Sequence, residues 1–263
     1  MQKLLTSFAG AAAAAVLLAG CAQVPPNAGE NPSDPYERVN RNIYAFNDSI
    51  DRAVFRPVAE TYVEWTPEWV RTRVSNVVDN LGDPGNAVNN TLQGKVDRGI
   101  ESLMRFLVNS TFGIAGIFDV ADEIGLKRHS EDFGQTLGVW GVGSGSYLVL
   151  PILGPSSTRD WTRWPVSIAT DPLTYALWNE EWYWSAGATT VALVDGRARL
   201  LKLDALRAST IDEYAAVRDA YLAKRASDVR DGAVEDEAEE LQMLTPVSYT
   251  HLRAHETLSD LVC

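Results

Sequence analysis

Apolar residues recur with a helical period along most of the chain. Val39, Ile43, Phe46 and Ile50 are spaced four, three and four apart, which places them on one helical face. Asp34-Pro35 ahead of them reads as an N-cap followed by proline at the first helical position. Thr66-Pro67 opens a second segment with Val70, Val74, Val77 and Leu81 as its stripe, and Asp83-Pro84 opens a short helix toward Leu92. The next stripe is Val96, Ile100, Leu103 and Leu107, with Asp97, Arg98, Glu101 and Arg105 outside it and Gly113 as a terminator. Phe118 to Ile124 makes a shorter piece ending at Gly125. The pattern breaks at Gly138 to Pro155, where five glycines flank Tyr147-Leu148-Val149-Leu150, so a short extended or hairpin segment is expected near 141–154. Helices resume after Ser156-Ser157, near Pro172 to Trp178, and from Trp182 to about Leu206. Thr210-Ile211-Asp212-Glu213 reads as a capping box for a last helix bearing Ile211, Tyr214, Val217 and Tyr221. The fold class expected is mostly α, in a single domain.

The ends of the chain carry different information. Residues 1–20, with Lys3 before an apolar run from Leu4 to Leu18 that is too short to span a bilayer, read as a signal peptide. They end in Leu18-Ala19-Gly20-Cys21, which resembles the lipoprotein signal-peptidase box, so Cys21 is the expected lipidation site. Ala22 rather than Asp after it fits sorting to the outer membrane, on its periplasmic side. Two or more acyl chains give stable anchoring where one does not. Residues 21–33, rich in Pro, Asn and Gly, are expected as a flexible tether, residues 34–227 as the body, and residues 228–246 as an acidic, solvated tail. Residues 247–263 resemble a translated sequencing-adapter read-through and are taken as foreign to the natural protein. A disulfide between the two cysteines, Cys21 and Cys263, is not expected, because lipidation consumes the first and the second lies in that tail.

Charge and chemistry narrow the function. A net charge of −12 argues against nucleic acid as a partner and against electrostatic docking on an anionic surface. All eight Trp fall between Trp65 and Trp184; they fit either a core or a membrane interface, and the anchor favours the interface for some. No catalytic residues are expected. Before residue 247 the sole histidine is His129, read as a surface residue, and Ser144 and Ser146 lack the flanking glycines of a nucleophile elbow. Cys or His clusters and a calcium-loop pattern are missing, so no metal or cofactor is expected.

A set of motifs then points to a family. Asp34-Pro35-Tyr36-Glu37, Asn40-Arg41, Phe46-Asn47 and Arg56-Pro57-Val58-Ala59 resemble the opening of the MlaA (VacJ) lipoproteins. The likeness continues through Asn80-Leu81, Asp83-Pro84, Leu92-Gln93-Gly94, Arg105-Phe106 and Asn109, and is strongest from Glu131 to Gly143, from Tyr147 to Gly154 and at Arg159-Asp160. Trp161 to Trp164 departs from the family pattern. The resemblance implies a ring-like monotopic helical body in the inner leaflet of the outer membrane. A passive amphipathic channel in it would take phospholipids from the outer leaflet to a soluble periplasmic carrier, in association with trimeric porins. By family position, Gly141, Val142, Gly143, Gly145, Tyr147, Leu148, Leu150 and Pro151 would line or gate that channel, with Phe46 and Asn47 near its mouth. The alternative is a structural adaptor lipoprotein at porins that transports nothing, and a lipase-like enzyme is disfavoured by the missing triad.

Overall fold

The computed structural model describes residues 24–231. The expected signal peptide, Cys21, most of the expected acidic tail and all of residues 247–263 lie outside these residues. The described chain falls into two compact units, one ending at Leu222 and the other beginning at Ala223.

The described residues are mostly helical. Helix α1 (Glu37–Ile50) runs through a π-helical turn (Asp51–Phe55) into α2 (Arg56–Trp65). Helix α3 (Glu68–Leu92) packs extensively on α4 (Val96–Thr111), and the short α5 (Val120–Glu123) and α6 (Phe133–Val139) follow. Strands β1 (Tyr147–Leu150) and β2 (Gly154–Ser157) form an antiparallel hairpin in which Tyr147 faces Ser157 and Leu150 faces Gly154. A 3-10 turn (Asp160–Thr162), α7 (Arg163–Thr170), α8 (Pro172–Ala176), α9 (Trp182–Ala208) and α10 (Glu213–Val229) complete the order. The mostly α class with a short hairpin is therefore observed, and the hairpin lies slightly later than expected. Among the described residues no helix is long and apolar enough to cross a membrane.

Four expectations are corrected, three of them at residues read as caps. Asp34 does not cap α1, whose N-cap is Tyr36; its fully buried carboxylate instead accepts from Asn40 Nδ2 at 2.8 Å and from the Tyr214 hydroxyl, with Arg218 3.5 Å away. Asp83-Pro84 does not open a helix, because α3 continues through Pro84. Asp83 is buried there against Arg105 and Arg128, and those charged contacts outweigh the local tendency of proline to break a helix. The last helix is capped by Asp212, which accepts from the Ala215 amide at 3.1 Å, while Thr210 turns back to donate to the Arg207 carbonyl. Finally, Pro25 to Ser33 is not an open tether. It folds into turns, the Gly29 amide donates to Glu37 Oε2, and the Ser33 carbonyl accepts from the Tyr147 amide at 2.8 Å.

The burial pattern is inverted relative to a water-soluble helical protein. Among the described residues the fully buried apolar side chains are Ala59, Ala121, Tyr147, Val149 and Tyr214. Far more polar and charged groups are buried, including Asn40, Arg41, Asn80, Asp83, Asn86, Asn89, Asn90, Arg105, Asn109, Asp160 and Asp195. In α4 the periodic stripe of Val96, Ile100, Leu103 and Leu107 faces outward, and Gly99, Ser102, Arg105 and Asn109 face inward. Helix α3 likewise buries Asn80, Asp83, Asn86, Asn89 and Asn90, spaced so that they share one face. Burying polar groups costs free energy unless each finds a partner. Here they largely do: Thr136 Oγ1 donates to Asn89 Oδ1 at 2.9 Å, the Glu131 amide donates to Asn86 Oδ1 at 3.0 Å, and Asn80 Nδ2 donates to Ser110 Oγ at 3.0 Å.

Candidate functional site

The hairpin is held by α1 through two asparagines that imitate a third strand. Asn40 Nδ2 donates to the Tyr147 carbonyl at 3.0 Å while its Oδ1 accepts from the Val149 amide at 3.0 Å. Seven residues on, Asn47 Nδ2 donates to the Leu150 carbonyl at 2.9 Å and its Oδ1 accepts from the Ile152 amide at 2.8 Å. A spacing of seven is nearly two helical turns, which brings both amides to one side of α1. Each primary amide offers one donor and one acceptor, as a strand does, so the open edge of β1 is closed without a further strand. Replacing Asn47 with alanine would leave the hairpin tip untied while Asn40 still holds its base. Protection of the Ile152 amide in hydrogen exchange should fall by about 1–3 kcal/mol, with Val149 much less changed.

Behind the hairpin lies a packed aromatic and ionic cluster. Tyr147 is fully buried, with ring centroids 6.1 Å from Tyr214 and 5.9 Å from Tyr221 in edge-to-face contact. Tyr44 meets Tyr214 at 5.7 Å, and the Arg41 guanidinium lies 4.4 Å over the Tyr214 ring. Tyr221 donates to the buried Asp160 carboxylate at 2.9 Å, and Arg159 Nε donates to Asp160 at 2.8 Å. Burial, followed by the hydrogen bond to Asp34 and its charge, pushes the Tyr214 hydroxyl well above the usual phenol range. Burial is also the main cause of the upward shift at Tyr147. Both hydroxyls stay protonated at neutral pH. Asp212 is held below the usual carboxylate range, first by its hydrogen bond from Arg41.

The residues expected to line or gate a path do not form one surface. Tyr147 is a core ring, Leu148 and Leu150 are half-buried strand positions, and Phe46 is half-buried on α1. Asn47 bonds Leu150 and Ile152, on either side of Pro151, which is exposed at the hairpin tip. Gly141, Val142, Gly143 and Gly145 form an exposed loop at the other end of β1. Within that loop Gly141 (φ +92°) and Gly145 (φ +68°) both hold the left-handed backbone that favours glycine, and at Gly145 a Cβ would also lie 1.9 Å from Thr158 Oγ1. Gly143 has open space around it. Asn40, part of the recognised motif but not expected as a site residue, is the clamp position that sequence reasoning missed, because the strand it bonds lies 107 residues away. His129, expected at the surface, is partly covered and engaged, with Nε2 2.8 Å from Glu101 Oε2.

The outer surface carries the apolar chemistry. Helix α9 divides in two. Trp182, Tyr183, Trp184, Val191 and Leu193 are exposed on its first half, and its second half is tied down by ion pairs. Asp195 accepts from Ser75 at 2.8 Å, Arg197 pairs with Asp51 at 2.6 Å, and Arg207 donates to the Tyr44 hydroxyl at 2.9 Å. Where α2 packs on α9, Pro57, Val58, Thr61, Tyr62 and Val194 line an apolar depression of about 460 Å³. Among the described residues no group of three or more His, Cys, Asp or Glu is placed to hold a metal ion.

The chain is similar over most of its length to known proteins. A family model described as MlaA lipoprotein matches residues 32–228. An uncharacterised protein of Rickettsia typhi is 38% identical over 199 residues, covering 75% of this chain and 78% of its own. The intermembrane phospholipid transport system lipoprotein MlaA of Shigella flexneri is 35% identical over 223 residues, 78% of this chain and 81% of that one. Its Haemophilus influenzae counterpart is 30% identical over 234 residues, 86% and 92% respectively. A solved chain from work on the structural basis for maintenance of bacterial outer membrane lipid asymmetry aligns with a TM-score of 0.64 at 35% identity, covering 75% of this chain and 99% of its own.

Proposed function

Since the chain belongs to the MlaA lipoprotein family, we propose that it moves phospholipids out of the outer leaflet of the outer membrane through a passive amphipathic path and so maintains lipid asymmetry. In this reading Cys21 is acylated, the body rests in the inner leaflet on the periplasmic side, and a soluble periplasmic carrier receives the lipid. Trimeric porins are the neighbours in the membrane. The observation that carries the reading is the inverted burial: apolar stripes on α4 and α9 face outward over a hydrogen-bonded polar interior.

The physical need is large. Passing a phospholipid through water exposes roughly thirty methylenes, about 25 kcal/mol at 0.8 kcal/mol each. A body with a hydrocarbon-facing exterior and polar groups inside can keep the tails in an apolar phase while offering the head group hydrogen bonds. The Gly141 to Gly145 loop and the hairpin clamped by Asn40 and Asn47 are the proposed gate.

Deleting the gene in a host and measuring outer-leaflet phospholipid tests the proposal. Lipid should accumulate there and detergent resistance should fall, with both restored by complementation. Normal asymmetry in the deletion strain would favour the non-transporting adaptor instead. Gly143→Trp, at an exposed position where a Cβ would meet nothing within 4 Å, should lower flux without lowering abundance; unchanged flux would remove this loop from the gate.

A further inference from the structure

The loop after α4 has a geometry that no element of the proposed path uses. From Phe112 to Phe118 the chain reads Phe-Gly-Ile-Ala-Gly-Ile-Phe, without a charged or hydrogen-bonding side chain. Ile114, Ala115 and Gly116 have φ of +53°, +54° and +88°, three successive residues in the left-handed region. A β-branched residue such as Ile114 is sterically disfavoured there, so the surrounding structure must impose the conformation. Two close approaches do so. A Cβ on Gly113 would lie 2.2 Å from the Phe118 carbonyl oxygen, and one on Gly116 would lie 2.8 Å from the Asn80 side chain. The result projects Phe112 and Ile114, 76% and 62% exposed, away from the protein.

Six of the seven amides of this loop are hydrogen-bonded to backbone carbonyls within it or in the last turns of α4. The amides of Phe112 and Gly113 donate to the Val108 carbonyl, those of Ala115 and Gly116 to Ser110 and Asn109, and those of Ile117 and Phe118 to Ile114 and Gly113. The Ile117 carbonyl accepts from Asn76 Nδ2 at 3.1 Å. An ordinary exposed loop leaves such groups to water, whereas backbone placed in hydrocarbon must satisfy them internally. The loop also continues the chain directly from α4, which presents its exposed stripe up to Leu107.

Resting on the membrane reading above, we infer that the Phe112–Phe118 loop is a rigid apolar finger that inserts among phospholipid acyl chains and fixes the depth of the body in the leaflet. A protein partner would call for polar groups at the tip to set orientation, and the tip has none.

The test places a nitroxide at Ile114→Cys in the full-length acylated protein carrying Cys263→Ser, in nanodiscs of phosphatidylethanolamine and phosphatidylglycerol. Matching labels go at Leu103→Cys, on the outward stripe of α4, and at Asp122→Cys, on an exposed acidic turn. Collision with oxygen should be high and with a polar nickel chelate low at position 114, a ratio about tenfold above that at 122, as for any group held below the head groups. Should Ile114→Cys not fold, Phe112→Cys carries the label, since φ there is an ordinary −88°. Nickel access at 114 with lipid exposure at 103 overturns the finger alone. Nickel access at both overturns the membrane reading with it. Low access to both probes at 114 would mean the loop is packed against protein, which also overturns the proposal.

Discussion

Replacing Arg105 with alanine should lower the melting temperature of the detergent-solubilised protein by about 10 °C. Arg105 is 2% exposed and joins three elements. Its NH2 donates to both oxygens of Asp119 at 2.8 Å, its NH1 donates to the Leu126 carbonyl, and its Nε lies 3.7 Å from Asp83. Removing one partner of a buried ion pair typically costs about 3–5 kcal/mol, because the opposite charge is left behind unpaired. A domain of this size loses about 2–4 °C per kcal/mol. A melting temperature within about 2 °C of the parent protein would show that the polar interior tolerates the loss and holds no such stake in Arg105.

The sign of the pH dependence provides a second check on the same variant. Burial raises Asp83 above the usual carboxylate range, and Arg128, the Asn86 amide and Arg105 only partly offset it. A raised folded-state value means that stability is complete below the unfolded value, about 3.9, and is lost as pH rises through the folded one. Without Arg105 the folded value rises further, so the deficit of Arg105→Ala should shrink as pH falls from 7 toward 5. Asp119 adds to this at lower pH. Burial raises it, but hydrogen bonds from Asn109 and Arg105 outweigh that and hold it below the usual range, so the stability it contributes is lost only as pH falls through its folded value. Asp83→Asn and Asp119→Asn combined with Arg105→Met should restore much of the loss, since neutralising both carboxylates together with the guanidinium leaves no stranded charge at that position.

The helices and the hairpin were legible in the sequence because periodicity and glycine spacing are local signals. The direction each helix faces was not. The stripe Val96, Ile100, Leu103 and Leu107 has the same period whether it meets a core or hydrocarbon, and only the partners of Gly99, Ser102 and Asn109 decide between them. Two of the three misread caps share one cause. Asp34 and Asp83 have strong local capping tendencies, but each sits within reach of a buried guanidinium, and a charge-assisted contact in the interior outweighs a cap at the surface. Of the site, Asn47 was legible through a motif. The role of Asn40 needed the position of β1, 107 residues away, which no local pattern carries. The inner position of Tyr147 was equally hidden, since a tyrosine beside glycines suits a gate as well as a core.

The outward stripe of α4 leads to the remaining large effect, one that would run the opposite way in a water-soluble protein. Ile100 and Leu103 are 56% and 46% exposed, so in water replacing both with aspartate should change folding by no more than about 0.5 kcal/mol each. At membrane depth each charge costs about 2.5–3.5 kcal/mol. The doubly substituted chain should therefore keep its helical circular dichroism and gain solubility, yet bind phospholipid vesicles about 10⁴-fold more weakly when both forms carry Cys21→Ser and float free of any acyl anchor. Asn109→Leu provides the converse. Asn109 is buried, donating to Asp119 at 2.9 Å and accepting from the Ala121 amide at 2.8 Å, so adding an apolar side chain there should destabilise by about 1–3 kcal/mol. If the aspartate pair bound vesicles as tightly as the parent chain, the outer face of α4 would be facing water, and the inverted burial would need a covering other than lipid.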